Sequence, residues 1–173
     1  MTQSVSLFKQ SGGSCIVENS TLGWNRNTKF LKELSTNTGV HIVAGTGFYL
    51  EDSLWKDLVS KAQVEKMSKF CTDEILVGCH DDPSVKCGFI GEVGVSNQMT
   101  TFERKSIQAS AWTQQATGAA VGFHPGRSKE SAFEIMRVYL EAGGKADRAI
   151  LCHSESEIIL SGPKQMRIFK NYL

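Results

Sequence analysis

The sequence predicts an α/β protein built on a parallel sheet, and three observations carry that prediction. Short apolar runs alternate with amphipathic stretches at least four times along the chain. Those runs are continuously apolar, as strands must be when both sheet faces are covered. Three of them end in a metal-ligating or acid/base residue, Glu92, His124 and His153, at intervals of 32 and 29 residues, which suits successive βα units. No Gly-x-Gly-x-x-Gly follows the first strand and no Gly-x-x-x-x-Gly-Lys-Ser/Thr occurs, so neither nucleotide-binding fold has its fingerprint.

Residues 12–19 read as a short buried strand ending in polar residues, and 20–25 as loop. From Thr28 to Asn37, Phe30, Leu31 and Leu34 share one helical face, and Gly39 is a natural stop. A second strand, Val40 to Ala44, closes at Gly45-Thr46-Gly47. His41 lies inside it, where a packed or hydrogen-bonded structural role is expected. Residues 51–78 carry helical periodicity in two pieces. His80 to Pro83 is a loop, and its adjacent polar side chains point apart, so a solvated turn is expected there and not a ligand set. Val85 to Ile90 is the third strand, leading to Glu92. Thr100 and Glu103 have capping-box spacing and open a helix to about Thr117, with Gly118 as its cap. The strand from Ala119 to His124 stops at Pro125-Gly126. Ser131 and Glu134 suggest a further capping box, Gly143-Gly144 ends the helix behind it, and the last strand runs from Ala149 to Cys152.

Size and composition fit one globular domain: 173 residues, 40% hydrophobic, 21% charged and three prolines. A net charge of +1 leaves no electrostatic footprint for nucleic acid or an anionic membrane. No apolar run approaches the roughly 18 to 20 residues of a membrane span. Met1 to Lys9 is too polar for a signal peptide, and five cysteines, an odd number, read as reduced thiols of a cytoplasmic protein. Cys71, Cys79 and Cys87 recur every eight residues, wider than the pairs that hold zinc.

In a parallel α/β barrel the strand ends converge on one spot. A carboxylate and two neutral imidazoles there suit metal-assisted hydrolysis, because together they hold a divalent ion that acidifies water and polarises a carbonyl or phosphoryl group. Each residue alone reads equally well as a structural polar group; three in consecutive units favour the metal site.

At these residues the chain resembles the phosphotriesterase-related proteins of the amidohydrolase superfamily. The resemblance is carried by Gly12-Gly13 through Asn19, Gly39 through Tyr49, Cys87 through Gly94, Phe123-His124-Pro125-Gly126-Arg127 and Leu151-Cys152-His153, spanning about 12–153. It implies a partial (β/α)₈ TIM barrel, about strands two to six of eight, in a single incomplete domain over 1–173 with a divergent tail at 154–173. It also implies a binuclear divalent metal centre, two zinc ions per complete barrel, and a small-molecule substrate. Glu92 matches the bridging carboxylate, a carboxylated lysine in the bacterial phosphotriesterases, and His124 and His153 match the histidines of the next two strands. Arg127, in the same His-Pro-Gly-Arg word, is expected either to orient an anionic substrate group or to make a structural salt bridge beside the barrel rim. The activity implied is hydrolysis of an amide, such as N-acetyltaurine or another N-acyl amino acid, or of an ester.

Two family features have no counterpart. The opening His-x-His strand is missing, since the four histidines are His41, His80, His124 and His153. The aspartate of the last strand, which serves proton transfer, lies outside this chain, so no catalytic residue is assigned. The expectation is a partial or alternatively spliced product with two open sheet edges, and the alternative to an active hydrolase is an inactive fragment that at most binds metal or a protein partner.

Overall fold

The computed structural model describes residues 2–153. Its centre is a five-stranded, all-parallel sheet with strands in sequence order: β1 (Cys15–Glu18), β2 (His41–Thr46), β3 (Phe89–Gly94), β4 (Ala120–His124) and β5 (Ala149–Leu151). Helices fill the connections: α1 (Thr2–Gln10) precedes β1, α2 (Thr28–Thr38) follows it, α3 (Lys56–Ser60) and α4 (Val64–Leu76) link β2 to β3, and α5 (Thr101–Thr117) and α6 (Lys129–Glu141) follow β3 and β4. Sequential parallel pairing without a switch point is the topology of a barrel wall, here about half a barrel.

Period-two alternation sorts the strand residues. Ile90, Val93, Val121 and Phe123 point to the helices and join Ile107, Ile135 and Tyr139 in the largest core cluster. Ile16 and Ile42 pack on Val5, Leu34 and Val40 on the same side. Their strand neighbours face the other way, and Val17 and Ile150, on the two edge strands, are 51% and 50% exposed. Among the described residues that apolar face is uncovered and β1 and β5 have no outer partner, which matches the open half-barrel expected from the sequence.

Most elements lie where the pattern put them, with three differences. Helix α1 was not foreseen: its residues are mostly exposed and only Val5 is buried, so its amphipathic signal is thin. The strand expected from Val85 starts at Phe89, because Val85 and Cys87 spend their backbone groups on Cys79 and Glu74 rather than on a neighbouring strand. The capping box proposed at Ser131 belongs elsewhere. Ser128 caps α6 by accepting from Ser131 N–H, whereas the buried Ser131 hydroxyl accepts from Gly126 N–H and so holds the turn after β4.

Thr100 and Glu103 do form the expected capping box. Glu103 is fully buried and also accepts from the Ser96 amide and hydroxyl, which ties the β3–α5 loop to the helix start. Thr100→Ala is expected to lower stability by about 1 kcal/mol, the usual cost of losing a side-chain cap, as read from the midpoint of urea unfolding. A change below a few tenths would mean the loop alone holds this end.

Candidate metal centre

Glu92 owes its position to a break in the sheet. The β3–β4 register slips between Ile90 and Val93, and such a bulge re-aims the residue inside it. Gly91 sits there at φ 129°, and a Cβ on it would come within 2.5 Å of the Gly122 carbonyl oxygen, so no larger residue fits. The loop after β1 fixes the result: Glu92 N–H donates to the Asn19 carbonyl, and the Glu92 carbonyl accepts from the Thr21 hydroxyl at 3.4 Å.

His124 is the last residue of β4, paired in register with Gly94, and its carbonyl accepts from Val95 N–H. Pro125 ends the strand because it has no N–H to donate. His153 follows β5 in the left-handed region, at φ 56°, after Cys152 N–H has donated to the Phe123 carbonyl.

The three side chains meet at one mouth of the sheet. Glu92 Oε2 lies 3.3 Å from His124 Nδ1 and Glu92 Oε1 lies 3.7 Å from His153 Nε2. The two imidazoles are 4.7 Å apart, centroid to centroid, and one donor atom from each of the three residues falls within 4.8 Å of the others. His124 Nδ1 is buried yet makes no hydrogen bond, because its contact with Glu92 is close without being aligned. A buried polar atom left without a hydrogen bond costs stability, and metal coordination would satisfy this one. Two nitrogens and a carboxylate suit zinc or a similar divalent ion, so the residues present fit the expected metal.

A second group of possible ligands, Glu74, Cys79 and Asp81, also lies within ligating distance. Its cation is already there: Arg26 Nη2 reaches Glu74 Oε1 at 2.6 Å and Asp81 Oδ1 at 2.9 Å. This cluster is an ion-pair network, and the loop from His80 to Pro83 is largely exposed, as the solvated turn expected from the sequence. Asp81 accepts from Thr28 N–H, and the exposed His80 stacks on Phe70 with ring centroids 4.5 Å apart.

Arg127 is exposed on the turn after β4, with its N–H donated to Asn97 Oδ1 at 2.6 Å. Its guanidinium is in no ion pair with the triad. His41 is exposed at the start of β2, so the packed role expected for it is not observed. Sequence reasoning missed Tyr49, whose ring lies edge-on to His124 at 5.5 Å and to Trp24 at 5.0 Å. Burial, together with the nearby Glu92 carboxylate, pushes the Tyr49 phenol above its ordinary value. The signal was partial: Tyr49 lies in the loop three residues after the end of β2, on the same side of the sheet as the end of β4.

The sequence pattern of the Phosphotriesterase family matches residues 1–168. The chain belongs to that family. It is 46% identical over 161 residues to a phosphotriesterase-related protein of Aedes aegypti, covering 90% of this chain and 45% of that protein. It is 42% identical over 152 residues to an N-acetyltaurine hydrolase of Bos taurus, covering 88% of this chain and 43% of the relative. The chain therefore spans less than half the length of these curated relatives. Among solved structures, a resiniferatoxin-binding protein from Rhodobacter sphaeroides superposes with a TM-score of 0.85 at 28% identity, covering 91% of this chain and 44% of that one. A lactonase from Listeria monocytogenes reaches 0.82 at 21% identity over 90% of this chain and 52% of its own, a likeness that speaks for the fold alone. The five-stranded wall is thus part of a phosphotriesterase-family barrel.

Proposed function

We propose that Glu92, His124 and His153 are metal ligands of a metal-dependent hydrolase, and that its reaction is attack of water on an amide bond of N-acetyltaurine or another N-acyl amino acid, with an ester as the second choice. The observation that carries this reading is the convergence of the three donors around the buried, unbonded Nδ1 of His124. The amide preference rests on likeness to the Bos taurus N-acetyltaurine hydrolase. When bound, a divalent ion, zinc first and two per complete barrel, supplies a water acidified to a pKa of about 7 and a polarised carbonyl.

The chain's own groups have distinct tasks in this scheme. The two Glu92 oxygens face different histidines, Oε2 towards His124 and Oε1 towards His153, which suits a carboxylate shared between two ions. Tyr49 and Trp24 wall the approach beside His124. To Arg127, on a turn held by Asn97 and Ser131, we assign the orienting of an anionic substrate group such as a sulfonate or carboxylate. We place the protein in the cytoplasm, with a small-molecule substrate. Among the described residues no helix is long and apolar enough to cross a membrane.

A second reading, an inactive piece of such a hydrolase, is favoured for this polypeptide in isolation. Among the described residues one three-residue group lies at the mouth, and the sequence contains no His-x-His. The purified chain is expected to bind fewer than two zinc ions and to show no turnover of N-acetyltaurine, as measured by metal analysis after dialysis and by release of acetate. Two tightly held ions with turnover would remove the second reading, whereas no zinc uptake at all would remove the first.

A further inference from the structure

Beyond the metal centre, the strongest chemistry left unassigned is a pair of thiols at the foot of β3. Cys79 Sγ and Cys87 Sγ are 3.4 Å apart, and the two residues are 1% and 4% exposed. We propose that Cys79 and Cys87 form a reversible oxidation site that closes to an intramolecular disulfide under peroxide.

The backbone already holds the two residues face to face. Cys79 N–H donates to the Val85 carbonyl at 2.8 Å, and Cys87 N–H donates to the Glu74 carbonyl at 2.9 Å. Bond formation needs the sulfurs to close from 3.4 Å to about 2.05 Å. The short segment between them can absorb that movement, because Pro83, Ser84 and Lys86 are exposed. The present thiol hydrogens also suit the change. Cys87 Sγ donates to the Gly45 carbonyl at 3.3 Å, and that carbonyl keeps a donor after oxidation, since Arg26 Nη1 reaches it at 2.9 Å. No buried acceptor is therefore orphaned when the two S–H groups are lost.

The reaction balances with hydrogen peroxide as oxidant. One sulfur, as thiolate, attacks a peroxide oxygen and becomes a sulfenic acid, and hydroxide leaves. The second sulfur then displaces the sulfenic oxygen as water and forms the S–S bond. In total two thiols and one peroxide give one disulfide and two waters. Burial pushes both thiols above their ordinary range, so the thiolate that starts the reaction is scarce and the first step is slow at neutral pH and quickens as the pH rises. The neighbouring sulfur is then the nearest partner for a sulfenic acid formed on either residue. The product would tie the loop carrying Asp81 to the start of β3, the strand that bears Glu92.

The test uses the full chain in its native state. It is treated with hydrogen peroxide, then denatured and alkylated with N-ethylmaleimide, and its peptides are mapped by mass spectrometry with and without dithiothreitol. The expected product is a Cys79–Cys87 crosslink, lighter by two hydrogens and reversed by dithiothreitol. It should persist in the double variant Cys15→Ser/Cys152→Ser, which lacks the exposed and the half-buried cysteine. Recovery of Cys79 and Cys87 as alkylated thiols, or crosslinks that join either to another cysteine, overturns the proposal. Because the wild-type map alone decides this, the result does not depend on how the variant folds.

Discussion

Replacing Arg26 by methionine is expected to destabilise the chain by about 3–5 kcal/mol, the range for breaking a buried ion pair from one side. Arg26 forks onto Glu74 with two contacts of 2.6 Å, and the Glu74 side chain is fully buried. Without the guanidinium, that carboxylate keeps the Thr46 hydroxyl at 2.6 Å, the His80 amide at 3.2 Å and a longer 3.4 Å contact with His80 Nδ1. These contacts do not replace the two-pronged cation. The double variant Arg26→Met/Glu74→Leu should recover most of the loss, because no unpaired charge remains. Urea unfolding of both variants checks this, and equal stability of the single variant and the wild type would show that water reaches Glu74.

The same pair sets a pH dependence. Burial alone would raise the Glu74 pKa, but the Arg26 fork and the Thr46 hydroxyl outweigh it and hold the carboxyl below its ordinary value of 4.5. A depressed folded pKa gives stability that is present above 4.5 and is lost as pH falls through the folded value. The wild type should therefore weaken as the pH is lowered below that ordinary value. In Arg26→Met the sign reverses, because a buried carboxyl without its cation favours the protonated form, so part of the lost stability returns on acidification.

This network also marks where the sequence stops being readable. His124 and His153 are legible because each closes an apolar run that reads as a strand delivering its end to the sheet rim. The same rule picks out Glu92, but β3 runs on to Gly94 and a bulge aims that side chain, which no local pattern shows. Arg26 and Glu74 are 48 positions apart on a loop and a helix, and neither local pattern carries a sign of the other. The Ser131 box fails for a related reason: Ser128 and Ser131 both sit in N-cap context, and only the tertiary contact with Gly126 decides which hydroxyl faces α6. Helix α1 escapes notice because it buries one side chain. Tyr49 lies three residues past the end of β2, so a rule that looks only at the residue closing a strand passes over it.

The second large effect belongs to the triad. His124→Ala should lower zinc affinity by more than the about 10- to 100-fold that removal of an outer-shell partner costs, since it deletes a donor atom outright. Glu92→Gln should do comparable harm, because it keeps the shape but removes the charge between the two imidazoles. His41→Ala is the matched control, an exposed imidazole at the opposite end of a neighbouring strand, and should leave affinity unchanged. Calorimetric titration with zinc separates these outcomes, with circular dichroism confirming that each variant keeps its helices. If His124 were only a structural group, losing an imidazole whose buried Nδ1 makes no hydrogen bond would cost little, and zinc binding would survive. The two roles thus predict opposite results from one substitution: a structural His124 leaves the metal in place, and a ligand His124 takes it away while the fold remains.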